Sequence, residues 1–212
     1  MERDFFSDKT HHAVTATVAA MELHTAAEIV VAVRQKSGEY RQADYAFGAL
    51  CAFVALLIML FSPRVFSVRA MPIDMLLMFG LGAWVCSKTF TLRRLLTGRA
   101  FRKRQVATAA RATFFDQGIS RTRDRTGILV YVSILEREVA LLADTGVATL
   151  PGWTSQMEEA VARADSDAFL VALRALAEPL SQLLPRSADD VDELSNALIV
   201  EELPVDAFGS TR

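Results

Sequence analysis

The chain has 212 residues, 52% of them hydrophobic, with a mean hydropathy of +0.26. Its net charge of −2 hides an asymmetry, because residues 1–125 carry 18 Lys and Arg against 10 Asp and Glu, and residues 126–212 carry 5 against 15. A basic half beside an apolar segment favours contact with anionic lipid head groups and argues against a nucleic-acid partner. The chain has only two cysteines, which excludes a disulfide-stapled fold.

The first elements are a helix and a strand. Residues 10–24 are predicted to be helical because Val14, Val18 and Met21 form one apolar stripe, with Asp8 or Thr10 as the cap. Residues 28–33, Glu-Ile-Val-Val-Ala-Val, are β-branched and apolar on both sides. This pattern predicts a strand that is covered on two faces of its sheet.

An apolar segment then interrupts the chain. Residues 45–62 are eighteen residues without a charge, and a second apolar run extends from Ile73 to about Leu92. About 20 apolar residues at 1.5 Å each cross a bilayer core of roughly 30 Å. Asp74 and Lys88 interrupt the second run near its ends, where a Lys side chain reaches the head groups. We predict a transmembrane helical hairpin, with a buried helix pair in a soluble core as the alternative.

Small residues recur at spacings of three and four in the hairpin and are predicted to pack its helices together, with dimerisation as the alternative. They are Gly48, Ala52, Ala55, Gly80 and Ala83. Cys51 and Cys86 fall at similar predicted depths, where apolar filling is the default over a redox pair.

The distribution of cations predicts the topology. The start of the chain lacks the pattern of a signal peptide, so we expect the hairpin to set the orientation. The hairpin loop holds two cations and its flanks hold nine, which places both flanks and both termini in the cytoplasm and the protein in the inner membrane. The predicted lipid head-group contacts, for which topogenic charge is the simpler alternative, are Arg93, Arg94, Arg99, Arg102, Lys103 and Arg104.

The second half alternates helices and strands. Residues 97–115 are predicted to form a helix that ends at Gly118, followed by strands at 127–133 and 139–143. The short Leu135-Glu136-Arg137 connection allows only an antiparallel pair, whereas the long connection from the first strand permits a parallel one. Helices are predicted at 151–164 and from a cap at Ser166, the latter bent by Pro179, with a short helix ending near Val200.

This order of parts resembles the TPM domain family over residues 10–186. The most specific match is residues 124–147, which contain Gly127-Ile-Leu-Val-Tyr-Val-Ser133 and Glu136-Arg-Glu-Val-Ala-Leu-Leu-Ala-Asp144. Glu28-Ile-Val-Val-Ala-Val33, Trp153 and Leu184-Pro185 support it. The resemblance implies an α/β/α sandwich around a small mixed sheet. The predicted domains are residues 1–43 and 93–186 as the TPM-like domain, 44–92 as the hairpin and 187–212 as an acidic tail.

The resemblance also implies functions. Many members are secreted or periplasmic, whereas here a membrane hairpin interrupts a domain that we predict to be cytoplasmic. Plant relatives in the thylakoid lumen are linked to repair of photosystem complexes and have been assigned acid phosphatase activity and divalent-cation binding.

Three carboxylates are candidate ligands for Ca²⁺ or Mg²⁺. If opposed residues of the strand hairpin sum to 271, Gly127 faces Asp144, and Asp124 lies at the same edge of the sheet. A parallel first strand would begin there too, at Glu28. Oxygen clusters of this kind suit Ca²⁺ and Mg²⁺; the alternative is that Asp124 and Asp144 are ordinary turn residues.

We find no nucleophile motif in the sequence, and Ser37 and Ser133 have no evident base. The main hypothesis is therefore a non-catalytic, membrane-tethered module that holds a membrane-protein partner in assembly or quality control of membrane complexes. A divalent-cation-dependent acid phosphatase and an anionic-lipid sensor are the alternatives.

Overall fold

The computed structural model describes residues 5, 7–63, 66–147, 154–186, 194 and 198–201. The chain divides into two compact units, one formed by residues 1–37 and 103–212 and one by residues 38–102. The inserted unit is thus wider than the predicted hairpin of 44–92. Predictions for residues 151–153, Trp153 included, and for the acidic segment 187–193 lie outside the described residues.

The first unit is a mixed α/β unit with a four-stranded sheet in the described residues. The strands are β1 Glu28–Arg34, β2 Gly127–Ser133, β3 Glu138–Ala143 and β4 Ile199–Glu201, in the order β3-β2-β1-β4. β1 is parallel to β2 and β4, and β2 is antiparallel to β3. The predicted short helix ending near Val200 is wrong, because β-branched Ile199 and Val200 pair with the edge of β1 instead.

The predicted strand register is confirmed. Ile128 pairs with Ala143 and Ser133 with Glu138, so opposed residues sum to 271, and the parallel pair aligns Glu28 with Gly127. The turn is longer than predicted, because Ile134–Arg137 lie between the paired strands and Arg137 adopts a φ of 54°.

The described helices are α1 Asp8–Glu22, α2 Arg41–Phe61, α3 Met71–Lys88, α4 Phe90–Leu96, α5 Arg99–Asp116, α6 Thr154–Arg163, α7 Ser166–Arg174 and α8 Ala177–Leu183. Two caps differ from prediction, because Ser7 caps α1 by accepting from Thr10 N, and Asp165 caps α7 by accepting from Ala168 N. The predicted single helix is interrupted between α7 and α8, ahead of Pro179. In a continuous helix the proline ring would clash with the carbonyl four residues earlier.

Helices cover both faces of the sheet. Ile29, Val31 and Val33 of β1 join a large apolar cluster with residues of α1, α6, α7 and α8. Val30 and Ala32 point the other way and join a smaller cluster with α5. This two-sided burial explains why β1 is a continuous apolar run.

The second unit is a helical hairpin of α2 and α3, followed by α4. A Cβ added at Gly48 would lie 2.6 Å from Phe79 O, and one at Gly82 would lie 2.8 Å from Cys51 Sγ. Gly82 therefore lies in the helix contact, whereas the predicted Gly80 has open space around it. The thiol of Cys86 donates a hydrogen bond from Sγ to Ala43 O at 3.7 Å.

The second apolar run is not one straight helix. α3 ends at Lys88, Thr89 is extended, and α4 continues at an angle of 102°. Ser87 and Thr89 hydroxyls donate to the carbonyls of Trp84 and Val85, which loosens the last turn. By length and composition, α2 is able to cross a membrane, and α3 with α4 passes the same test only as a bent pair.

Candidate functional site

The predicted carboxylates lie at one edge of the sheet. Glu28 pairs with Gly127 in β1 and β2, and Asp144 N donates to Gly127 O at 2.9 Å, so Glu28 and Asp144 flank Gly127 in one row. Strands are spaced by about 4.8 Å, which separates the outer two residues of this row by roughly 10 Å. A Cβ on Gly127 would lie 2.3 Å from Ile119 O. The backbone of Ile119 therefore lies over Gly127, between the two carboxylates.

Glu28 and Asp144 are both buried, being 5% and 8% exposed, respectively. Asp144 Oδ1 accepts from Thr145 N at 2.7 Å and lies 3.9 Å from Arg125 Nη1, and the buried Asp144 Oδ2 has no hydrogen-bond partner among the described residues. Glu28 Oε2 accepts from Leu194 N at 3.1 Å, and Asp124 is exposed. Within the described ranges, no three His, Cys, Asp or Glu side chains form a group that could hold a metal. The three carboxylates therefore do not form such a group among the described residues, and cation binding by Glu28, Asp124 and Asp144 stays a prediction.

A hydrogen-bonded cluster of four side chains lies at the carboxyl ends of β1 and β2. Ser37 Oγ shares a hydrogen bond of 2.9 Å with Tyr131 Oη and donates to Ser133 Oγ at 2.6 Å. Ser133 Oγ donates to Glu136 Oε2, and Glu136 Oε1 accepts from Ser37 N at 2.9 Å. We call Ser37, Tyr131, Ser133 and Glu136 the Ser–Glu cluster.

The Ser–Glu cluster is buried and locks two chain segments together. Tyr131 and Ser133 are fully buried, and Glu136 is 2% exposed. Two backbone hydrogen bonds join the same two segments, from Ile134 N to Arg34 O at 3.0 Å and from Leu135 N to Gln35 O at 2.9 Å. The carboxyl ends of parallel strands are common ligand sites in α/β proteins. Here the protein's own hydroxyls and carboxylate bind each other at that place.

The Ser–Glu cluster was not predicted from the sequence. Glu136 was expected in a short connection between two strands, and Ser37 and Ser133 had no evident base. The four-residue turn returns Glu136 toward Ser133, and β1 brings Ser37 beside both. The Ser-x-x-Glu spacing at the end of a strand was the one signal that could have indicated it.

The inserted unit has its own buried ion pair. Arg93 of α4 donates to both carboxylate oxygens of Asp44 in α2, from Nε at 2.9 Å and Nη2 at 2.7 Å. The two side chains are 13% and 9% exposed, respectively. Paired geometry of this kind gives a strong and directional contact. It fastens the start of α2 to α4.

At least three of the six predicted lipid-contacting cations contact protein groups. Arg93 pairs with Asp44, and Arg102 Nη1 donates to the carbonyls of Arg94 and Thr97, where it satisfies the end of α4. Lys103 Nζ lies 3.7 Å from Glu138 Oε2. Arg104 is exposed. Head-group contact by Arg93, Arg94, Arg99, Arg102, Lys103 and Arg104 stays a prediction.

Comparison with known proteins informs the fold. No protein-family model matches the chain. No curated protein matches it either. The NMR structure of the BA42 protein from the psychrophilic bacterium Bizionia argentinensis matches with a TM-score of 0.55, covering 92% of this chain and 94% of that one at 13% identity. At this identity the likeness shows a shared mixed α/β fold alone.

Proposed function

We propose that the protein is a membrane-tethered, TPM-like interaction module of the inner membrane. The inserted unit crosses the bilayer as a two-helix hairpin, and the α/β unit, an α/β/α sandwich, stays in the cytoplasm with both termini. The module binds a membrane-protein partner and acts in assembly or quality control of membrane complexes. The observation that supports the membrane location is the burial pattern of the hairpin.

That pattern is the reverse of a soluble core. Large apolar side chains of α2 and α3 are exposed, including Phe53 at 56%, Leu76 at 71% and Trp84 at 60%. The apolar window of α2 is only 17% buried. In water, so large an apolar surface is unfavourable. In a bilayer, an apolar outer surface is expected for a helix pair that faces lipid, with small residues such as Gly48 and Gly82 at the contact between the helices.

The Ser–Glu cluster supports an interaction module over an enzyme. Its hydroxyls and carboxylate already bind one another and the backbone of Ser37, so they stabilise the end of β1 and the β2–β3 turn. A buried carboxylate that is satisfied in this way fixes one arrangement of the chain. A rigid α/β unit on a membrane tether suits a protein that positions partners.

Carbonate extraction of membranes tests the tether. Wild-type protein should remain in the membrane pellet and dissolve only with detergent. A variant with both Phe53→Arg and Leu57→Arg should be released to the soluble fraction, because each cation at the centre of a span raises the free energy of membrane insertion by about 2.5–3.5 kcal/mol. Val171→Arg, at an exposed apolar position of α7, is the matched control and should stay in the pellet. Wild-type protein in the carbonate supernatant would refute the proposal.

The partner is sought by crosslinking in intact membranes, followed by identification of the attached proteins. We expect the same membrane proteins to be captured by wild-type protein and by Val171→Arg. Loss of these crosslinks when the hairpin carries the two arginines would show that capture needs the tether. Crosslinking to lipid alone would contradict an interaction module.

A divalent-cation-dependent phosphatase is the second candidate, and it is favoured by the buried Asp144 Oδ2, which has no hydrogen-bond partner in the described part of the chain. The purified protein should be assayed on a chromogenic phosphate ester with and without Mg²⁺ and Ca²⁺. This function would be established by cation-dependent hydrolysis that is lost in the Asp144→Asn variant and kept in the Asp167→Asn variant. Asp167 is an exposed residue of α7 and serves as the control.

An anionic-lipid sensor is the third candidate, for which Arg104 is one of several exposed cations of α5. Binding of the protein to anionic vesicles that weakens with salt and with Arg104→Ala would favour it. Binding that ignores both changes would exclude it.

A further inference from the structure

The hairpin is open at its loop end. A cleft of about 420 Å³ lies between the second half of α2 and the first half of α3. Its wall is apolar except for one carboxylate, and the lining residues are Ala55, Ile58, Met59, Phe66, Asp74, Leu77 and Met78. This cleft lies wholly within the inserted unit.

The side chains at the two ends of the hairpin explain the opening. Near the start of α2, Gly48 and Gly82 let the helix backbones approach so closely that neither position has room for a Cβ. Toward the loop, longer side chains such as Ile58, Met59 and Leu77 line the space between the helices. Small residues allow close helix contact at one end, and the helices enclose a cleft at the other.

Asp74 gives the cleft a chemical preference. It lies in the first turn of α3, where the helix dipole stabilises a carboxylate. Its backbone N–H donates to Ala70 O at 3.0 Å, but its carboxylate forms no hydrogen bond or ion pair within the part of the chain that the structure describes. Its negative charge is therefore set at the edge of an apolar cleft without a cation beside it among those residues.

We infer that the cleft binds a membrane phospholipid whose head group carries a primary ammonium. One acyl chain lies along Ile58, Leu77 and Met78, and the ammonium donates hydrogen bonds to Asp74. An apolar wall with one carboxylate at the helix end complements an amphiphile with a cationic head, and repels one with a purely anionic head. A functional role is the usual reason for an acidic residue in a membrane segment. The inference rests on the proposed membrane location.

Native mass spectrometry of the full chain tests the inference. The protein is released from nanodiscs of equal phosphatidylethanolamine and phosphatidylglycerol, and the bound lipids are counted. An ion pair at a partly exposed site is worth up to about 1 kcal/mol, so we expect roughly fivefold enrichment of phosphatidylethanolamine. Asp74→Asn should remove the preference. Ile58→Trp should fill the cleft and reduce all bound lipid, while Leu81→Trp, at an exposed position that does not line the cleft, should change neither.

The outcomes separate this inference from the proposed function. Membrane-retained protein that shows no preference, or a preference that Asp74→Asn and Ile58→Trp leave intact, would overturn the lipid site alone. Protein that carbonate strips from the membrane would overturn both proposals. A phosphatidylethanolamine preference lost only in the Asp74 and Ile58 variants would establish the site.

Discussion

Ser133 Oγ donates a hydrogen bond to the Glu136 carboxylate inside the α/β unit, across the turn between β2 and β3. The other oxygen of the same carboxylate accepts from Ser37 N, 99 residues earlier in the chain. Ser37 is the last residue of the α/β unit before the inserted unit begins. Glu136 therefore fixes the end of β1 at the place where the chain leaves the sheet.

Replacement of Glu136 should destabilise the α/β unit. Glu136→Ala leaves Ser37 N and the Ser133 hydroxyl without their acceptor, at a cost of about 2–4 kcal/mol in unfolding free energy. For a chain of this size the melting temperature should fall by roughly 4–16 °C, measured by circular dichroism of the full chain in detergent.

Glu159→Ala is the control, because Glu159 forms an exposed pair with Arg163 at 3.2 Å and should cost less than about 0.5 kcal/mol. Equal melting temperatures for the Glu136 and Glu159 variants would show that the Ser–Glu cluster adds nothing to stability.

The Asp44–Arg93 pair should be strongly coupled. Either Asp44→Ala or Arg93→Ala leaves one buried charge without its partner, and each should cost about 3–5 kcal/mol. The double variant should cost less than the sum of the two, which thermal unfolding of all four proteins measures as a coupling energy.

The Glu39–Arg41 pair provides the comparison, because its side chains are 69% and 72% exposed. Its coupling should lie within about 0–1 kcal/mol. Additive costs at Asp44 and Arg93 would contradict a paired interaction there.

The two glycines of α3 should respond differently to alanine. Gly82→Ala places a methyl group 2.8 Å from Cys51 Sγ and should lower hairpin stability by about 1–3 kcal/mol. Gly80→Ala meets nothing within 4 Å and should be neutral or slightly stabilising. The melting temperatures of the two variants in detergent measure this difference. Equal decreases for Gly80→Ala and Gly82→Ala would contradict the helix contact at Gly82.

Cysteine labelling tests the proposed topology. In a background with both native cysteines replaced by alanine, Arg69→Cys in the hairpin loop should react with a membrane-impermeant maleimide on intact spheroplasts. Glu159→Cys in α6 should react only after lysis if the nine flanking cations place the α/β unit in the cytoplasm as proposed. The reverse labelling pattern would invert the topology.

The pairing of the sheet followed from the sequence because strand periodicity is rigid. A register that sums to 271 needed only the short 134–137 connection and the alternation of the two strands. Strand β4 was missed because three residues give too little pattern to separate a strand from a helix. It forms only because β1 offers an open edge to Ile199 and Val200.

The candidate sites were harder to predict, because they depend on distances between remote segments. Glu28 and Asp144 were placed in one row correctly, yet the backbone of Ile119 lies over Gly127 in the middle of that row, which no local pattern reveals. Ser37 meets Glu136 only through the fold. Spacing alone also chose Gly80 over Gly82, since helix rotation was unknown.

The parallel pairing of β1 with β2 has a consequence for biosynthesis. The strand of Glu28–Arg34 is made first, and both of its neighbours, Gly127–Ser133 and Ile199–Glu201, are made later. Roughly 90 residues intervene before the first neighbour, which at about 5–20 residues per second takes on the order of 5–20 s. An apolar strand thus emerges from the ribosome long before it can be covered, so the nascent chain needs a chaperone or rapid targeting during that interval.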